Sequence, residues 1–292
     1  MNVIMTALPV EHAAVLEHLV DVRPHRHRSG TVFDVGTVVG HPGHRVAVVE
    51  TGAGTTTAAA LTERANAEFD PAAMVFVGVA GGLRDWLMIG DVVVATKIYS
   101  YQGGRSEDDE FLVRPSAWSV SHRLDQEARR LPRGDAWHSF LPDQVEGGAP
   151  AVHFEAVAVG DVVLNSRRSE LAQRLHKSYN DAVAVDMESS GFAHAAHLGD
   201  QVRAVAVRGI SDFADGRKAT ADREGGQLLA ARNAAAFAIA LITALEPAED
   251  TAGAADPPSP EVPAIRNTNT ARDNARVGQQ IGVNLGSVRG FR

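Results

Sequence analysis

Three short stretches of this chain set carboxylates where strands should end. "VAVDMESSGF" (residues 183–192) runs an apolar segment straight into Asp186 and Glu188, which flank Met187. "TALPVE" puts Glu11 just past the first β-rich run, and "VRGISDF" puts Ser211 and Asp212 at the end of the last one, with Arg208 shortly before. A carboxylate at the end of a buried strand is costly to desolvate unless it holds something or is itself held. Two kinds of work suit such groups. One is acid or base chemistry, if the surroundings move the pKa towards neutrality; the other is gripping the hydrogen-bond donors of a ligand. Each also has an ordinary use: Asp212 as the cap of a following turn, Glu11 as a first-turn glutamate favoured by the helix dipole.

Other chemistries find no residues. With no cysteine there is no disulfide, thiolate nucleophile or cysteine metal site. The 12 histidines are scattered or loop-placed, as in "RPHRHRSG" and "HPGH", and none falls into an HExxH pattern, so no metal and no organic cofactor is expected.

The elements that must position these carboxylates alternate along the chain. "VIMTAL", "VAVVETG", "AMVFVGVAGGL", "GDVVVATKIYSY", "AVAVGDVVL" (one or two strands), "DAVAVDME" and "VRAVAVRGISDF" read as strands. "VEHAAVLEHL", "TTTAAALTERANAEF", "SSGFAHAAHLG" and "EGGQLLAARNAAAFAIALITALE" read as helices. Continuous apolar strands between helices predict an α/β sheet covered on both faces, with polar groups gathered at strand ends.

Bulk properties agree. The 292 residues suffice for one large α/β domain or two small ones, and 45% apolar residues can fill a sizeable core. A net charge of −8 argues against whole-molecule attraction to nucleic acid or an anionic membrane, though not against a local basic pocket for a phosphorylated small molecule. "MNVIMTALPVEH" lacks a basic n-region and a long apolar core, so a signal peptide is not expected, and a cytoplasmic location is. The longest apolar stretch, "AAAFAIALITAL" at 234–245, is too short to span a bilayer and reads as a core helix.

Composition changes at Pro247. Residues 247–266, rich in Pro, Ala and acidic groups, read as a flexible linker. Residues 267–292 carry glycines at 278, 282, 286 and 290 with partly alternating apolar residues. That is too little hydrophobic material to fold alone, so the tail reads either as disordered or as a short strand-prone segment suited to stacking with a similar one.

Taken together and in order, "TALPVE", "TGAG" (51–54), "VGVAGGLRDWLMIGDVVVATK" (77–97), "AVDMES" and "VRGISDFAD" resemble the nucleoside phosphorylase superfamily, particularly its methylthioadenosine/S-adenosylhomocysteine nucleosidase branch. The resemblance covers residues 1–246 and implies one three-layer αβα domain around a twisted mixed sheet, commonly dimeric or larger. It implies cleavage of the bond between a purine base and ribose through an oxocarbenium-like sugar. Under it, Asp212 matches the general acid that serves N7 of the leaving base, oriented by Ser211, and Glu11 matches the carboxylate that activates water. The pair parallels inverting glycosidases, where one carboxyl serves the leaving group and the other the water. Glu188 matches the residue that binds the ribose hydroxyls, with Met187 packed beneath the sugar. Ala80, Gly81 and Gly82 match the loop whose backbone approaches base and sugar, which needs minimal side chains. Arg208 either pairs with an active-site carboxylate or anchors its strand. Asp186 carries no assigned chemistry.

The chain also departs from its relatives. The glycine–aspartate–proline phosphate loop of hexameric phosphorylases is replaced by "ALPVE", which makes water the expected nucleophile. Where an aromatic residue follows the "GD" step to stack on adenine, this chain has Val163, so stacking must come from elsewhere or be weaker. Ala53 stands where a bulky residue lines the 5′-alkylthio pocket. That opens the 5′ end beside "GTTT", a helix start able to receive an anion, with "RPHRHR" as added charge if it folds over the site. The other reading makes "GTTT" a plain helix start and "RPHRHR" a solvated loop. "KIYSYQGG", "FLVRPSAW" and "YNDAVAVDMESSGF" look like phosphorylase-type domains of bacterial and fungal immune effectors, whose substrates include ATP. "VGQQIGVNLG" fits the V-G-x-Q-x-G-x-x-x-G pattern of amyloid-like signalling motifs.

The resulting expectation is a purine N-glycosidase that hydrolyses the adenine–ribose bond of an adenine nucleoside or nucleotide, as a defence effector. A salvage-type nucleosidase and a nucleoside-binding assembly module are the alternatives. The expected partners are the small-molecule substrate, further copies of the chain, and a protein bearing a segment like 267–292.

Overall fold

The computed structural model describes residues 1–142, 148–199, 202–216 and 218–246; the expected linker (247–266) and terminal motif (267–292) lie outside the described residues. In chain order the elements are β1 (Asn2–Thr6), α1 (Pro9–Leu16), β2 (Leu19–Arg26), β3 (Val32–Val38), β4 (His41–Glu50), α2 (Thr55–Phe69), β5 (Met74–Gly82) and β6 (Val92–Ser100). There follow β7 (Gly104–Ser106), β8 (Phe111–Val113), β9 (Ser116–Ser119), α3 (His122–Arg130), β10 (Val152–Val159), α4 (Glu170–Ser178) and β11 (Ala182–Asp186). The last are α5 (Ser189–Leu198), β12 (Ala204–Asp212), α6 (Lys218–Arg223) and α7 (Gly226–Ala244).

Strand alternation sorts the apolar residues into two layers of core. Val3, Met5, Met74 and Phe76 face Ala58 and Ala65 of α2 and Phe192 of α5. Ile4, Val75, Val77 and Val94 face Val15 of α1 and Phe237 and Leu241 of α7. Each large side chain fully buried in this way stabilises the fold by about 1.5–3 kcal/mol. A third cluster, with Tyr101, Ala158, Leu175, Tyr179 and Val185, lies under α4. The architecture is the expected three-layer αβα arrangement around a mixed sheet.

The main sheet runs β11-β10-β6-β12-β5-β1-β4-β3-β2, with β9 added on β6. β5 also pairs antiparallel with β11, Val185 opposite Gly81 and Ala184 opposite Gly82. The strands β5, β12, β6, β10 and β11 therefore close into a ring. This closure is what positions the site. The end of β12 meets the same glycine, Asp212 opposite Gly81 after a one-residue slip at Ser211. Three strand ends carrying Gly81, Asp186 and Asp212 thus converge, although the first and last lie far apart in sequence.

Two local expectations are corrected, and two others hold. "AVAVGDVVL" gives one strand, β10, which stops at Val159; Gly160–Leu164 is loop. "RPHRHR" does not line the cavity; its arginines are solvent-exposed, as one reading had it, but on a strand rather than a loop for the most part. Residues 23–26 belong to the edge strand β2, and His25 Nε2 sits 2.6 Å from Glu68 Oε1 on α2. "HPGH" likewise opens strand β4. The final helix, expected over "EGGQLLAARNAAAFAIALITALE", is α7, whose 19 residues by length and hydropathy could cross a membrane. It is instead 67% buried within the protein, as a core helix.

Candidate active site

Glu11 enters from the first turn of α1 and is fully buried. Its Oε2 accepts the backbone N–H groups of Ala7 (2.8 Å) and Leu8 (2.9 Å), and Oε1 accepts that of Val79 on β5 (2.8 Å). So it does serve the helix start, as an ordinary first-turn glutamate would. Of a carboxylate's roughly four acceptor positions, one remains. Burial pushes its pKa up, and the Arg208 charge and the three N–H groups pull the other way.

Arg208, on β12, is completely buried and is the electrostatic centre of the site. Its Nε lies 2.9 Å from Asp186 Oδ2, and Ser189 Oγ lies 2.7 Å from Nη2. The guanidinium carbon stands 4.5 Å from the ring centre of Phe76, a cation–π contact in the core. Glu188 Oε2 is farther off, 3.9 Å from Nη2. Arg208 therefore both pairs with a carboxylate and anchors its strand, so the two sequence readings hold together. Only glycine at position 78 permits this: a Cβ there would lie 1.8 Å from Arg208 Nη1 and 3.0 Å from Glu11 Oε1. Nη1 has no hydrogen-bond partner among the described residues.

Glu188 follows β11 and turns towards α2, where Gly54 N–H donates to its Oε1 at 3.2 Å. Gly54 has φ +109, a backbone that side-chain-bearing residues rarely adopt, so the amide can be aimed this way. Burial raises the Glu188 pKa to about 7, with Arg208 opposing and the nearby Asp186 and Glu11 charges adding to the rise. Asp212 closes the other side. Ser211 Oγ donates to its Oδ2 at 3.0 Å, the orienting contact expected of that serine, and Ala214 N–H donates to Oδ1 at 2.9 Å.

These side chains share one cavity of about 290 Å³. Glu11, Ala53, Ala80, Gly81, Val163, Met187, Glu188, Ser211 and Asp212 all line it, together with Leu8, Val79, Leu164, Val185, Asp186 and Gln227. Two expected residues do not: Gly82 pairs with Ala184 behind the wall, and Arg208 lies beneath the floor. No aromatic ring lines the cavity among its described residues, so base stacking by an aromatic is absent from this wall.

The mouth differs from what the sequence suggested. "GTTT" does not present a free helix terminus to an anion. Asp161, from the loop after β10, already takes the Thr55 N–H at 2.9 Å and the Thr55 hydroxyl at 3.0 Å. A carboxylate on the positive end of α2 is favoured for the same reason a ligand anion would be. Val162 and Val163 beside it are exposed, Val163 by 59%.

Sequence reasoning missed Asp186, Gly78 and Asp161. The signal for the first was available: an arginine inside the apolar strand "VAVRGISD" requires a buried carboxylate, and Asp186 was the one left without a task. Among the described residues, no group of three His, Cys, Asp or Glu side chains is placed to hold a metal ion.

A mixed α/β sheet with four carboxylates (Glu11, Asp186, Glu188 and Asp212) lining one cavity near its strand ends forms a site suited to a small polar ligand. The chain matches the Phosphorylase superfamily over residues 2–245 and belongs to it. It is 28% identical over 238 residues to ATP nucleosidase Cap17 of Escherichia coli (strain KTE188), the match covering 74% of this chain and 46% of that protein. The chain thus spans about half the length of that curated relative. It is 27% identical over 229 residues to 5′-methylthioadenosine/S-adenosylhomocysteine nucleosidase of Mycobacterium bovis, covering 72% of this chain and 85% of the relative. Among solved structures, the same type of nucleosidase from Neisseria meningitidis, in complex with methylthio-immucillin-A, superposes with a TM-score of 0.68 at 24% identity. That match covers 84% of this chain and 99% of the other. Futalosine hydrolase of Helicobacter pylori gives a TM-score of 0.68 at 21% identity, covering 84% and 97%. The structural likenesses show that the chain shares the fold of these proteins.

Proposed function

We propose that this chain hydrolyses the N-glycosidic bond between adenine and ribose in an adenine nucleoside or nucleotide. The observation that carries the reading is that Glu11 from α1, Glu188 from the turn after β11 and Asp212 from the end of β12 line one cavity. In the proposed step the bond from C1′ to N9 breaks as Asp212 gives its proton to N7 of the base. Water adds to C1′ from the opposite face and loses a proton to Glu11, which leaves Asp212 ionised and Glu11 protonated until proton exchange with solvent resets both for the next turnover. Glu188 accepts the ribose hydroxyls and sets negative charge beside the developing cation. Met187 forms the sugar's floor. Arg208, behind the floor, keeps this group of carboxylates from repelling one another.

An ATP-like substrate is favoured by two observations: the likeness to ATP nucleosidase Cap17, and a mouth where Ala53 and the exposed Val162 and Val163 replace bulkier walls. A role as a defence effector in the cytoplasm rests on the effector-like stretches "KIYSYQGG", "FLVRPSAW" and "YNDAVAVDMESSGF" and on the tail sequence, whose 267–292 segment would recruit copies of itself or a partner with a like segment. A catalytic domain over 1–246, working as a dimer or larger, completes the proposal. The likeness to methylthioadenosine nucleosidases supports a salvage role as the second reading.

The deciding experiment offers methylthioadenosine, adenosine and ATP in turn and measures free adenine. Release from ATP but not methylthioadenosine supports the effector reading and removes the salvage one. The reverse pattern favours salvage, and no release from any of the three turns the site into a binding module.

A further inference from the structure

Asp186 lines the cavity, yet the proposed reaction gives it nothing to do. Its bonds are all directed inwards. Oδ1 accepts the N–H groups of Glu188 and Ser189, both at 2.9 Å, while Oδ2 takes the Ser189 hydroxyl at 2.6 Å and Arg208 Nε at 2.9 Å. Two consequences follow from chemistry alone. The side chain that caps α5 is Asp186, so Glu188, which stands at the nominal cap position without a capping bond, keeps its carboxyl for other work. And the buried guanidinium has its nearest countercharge outside the pair Glu11 and Glu188. Glu188 consequently rests 3.9 Å from Arg208 Nη2, short of direct contact.

We infer that Asp186 is a positioning residue: by holding Arg208 and the turn into α5, it keeps Glu188 from collapsing onto the arginine and leaves it free to take the sugar's hydroxyls. This rests on the nucleosidase reading for its consequence in catalysis, though not for its electrostatics. Without the Asp186 charge, an uncompensated buried guanidinium would draw in the nearest carboxylate, because leaving it unpaired is strongly destabilising. The charges that face Glu188 are Asp186 from β11, Arg208 from β12 and Glu11 from α1, with the Gly54 N–H from the start of α2. Removing the first while the second closes in shifts Glu188 in one direction only, towards easier ionisation.

The test is a carboxyl ¹³C NMR titration of Glu188, assigned with Glu188→Gln, in the full chain and in Asp186→Asn and Asp186→Glu. Asp186→Asn is expected to lower the Glu188 midpoint by about one pH unit or more. With adenosine as substrate it raises KM about tenfold while kcat changes much less, the pattern of lost ground-state grip. Asp186→Glu, which keeps the charge, restores both. An Asp186→Asn protein that melts earlier but leaves the Glu188 titration and KM unchanged would overturn the inference and reduce Asp186 to a helix cap. Should Asp186→Asn fail to fold, Ser189→Ala loosens the same arginine, and an unmoved Glu188 midpoint there has the same meaning. A wild type that cleaves nothing would count against the nucleosidase reading, while the titration still decides the role of Asp186.

Discussion

Beneath the floor of the cavity Asp186, Ser189 and Arg208 are joined by contacts of 2.6–3.1 Å in burial, whereas at the mouth Val162, Val163 and the Asp161–Thr55 pair face solvent. The floor is assembled from β5, β11 and β12, whose ends converge through the ring closure; the mouth is made by one loop and one helix start. Buried charges must be paired within tight geometry or they destabilise the fold, so the floor has little freedom to vary. Exposed loop residues carry no such constraint, which makes the mouth the place where the 5′ substituent is chosen. On the proposed reading, bond cleavage belongs to the carboxylates this floor supports and substrate identity to the mouth.

That division can be broken in several ways. The largest effect is expected from Glu11→Gln, which keeps the shape but removes the acceptor for the water's proton. Its turnover should fall about 10²- to 10⁴-fold with substrate still bound, measured as adenine release and by calorimetric titration. Gly78→Ala comes next. Its Cβ occupies the space of Arg208 Nη1, so the arginine must leave its partners, and urea unfolding should show a loss of about 3–5 kcal/mol. A protein of unchanged stability would mean that Arg208 has room that this packing denies it.

The pH dependence is a subtler probe of the floor. The Glu188 pKa is raised to about 7 by burial, so the carboxylate proposed to grip the sugar forms as pH rises through that value. kcat/KM should therefore climb between pH 6 and pH 8, an interval of about one unit on each side of the midpoint. Stability runs the opposite way. A carboxyl whose folded pKa exceeds its unfolded one stabilises the fold fully below the unfolded value and loses that contribution as pH rises through the folded one. The thermal midpoint should fall as pH goes from about 4.5 to about 7, a decline to which buried Glu11 adds in the same sense.

The smallest effect belongs to the mouth. Thr55→Val removes the hydroxyl that Asp161 shares with the Thr55 N–H, and should cost about 1 kcal/mol while leaving the rate of bond cleavage within a few-fold. A Thr55→Val protein as crippled as Glu11→Gln would erase the distinction between floor and mouth.

Much of the fold was legible because its signals are local. Apolar strands such as "AMVFVGVAGGL", their closing glycines and the Ala-rich helices each state their own period, and the three-layer arrangement follows from strands apolar on both faces. The carboxylates at strand ends were legible for the same reason, and the cavity brings Glu11, Glu188 and Asp212 together. What stayed hidden depends on residues distant in sequence. Nothing near "VDME" announces that Arg208 will arrive 22 residues later, nor that Asp161 will seat itself on a helix start 106 residues before it. The pairing of β11 with β5, which turns a row of strands into a ring, leaves no mark in either strand. "RPHRHR" misled because its charges suggested a loop, while an edge strand tolerates and even favours such charges.

The most direct test of the central claim compares free adenine released by wild type and by Asp212→Asn from one accepted substrate in phosphate-free buffer. Wild type should release adenine at full rate without phosphate, and the variant should be slower by at least about a hundredfold, the scale of a lost general acid. A variant as fast as wild type, or a wild type idle until phosphate is added, would contradict a hydrolysis driven by proton donation from Asp212.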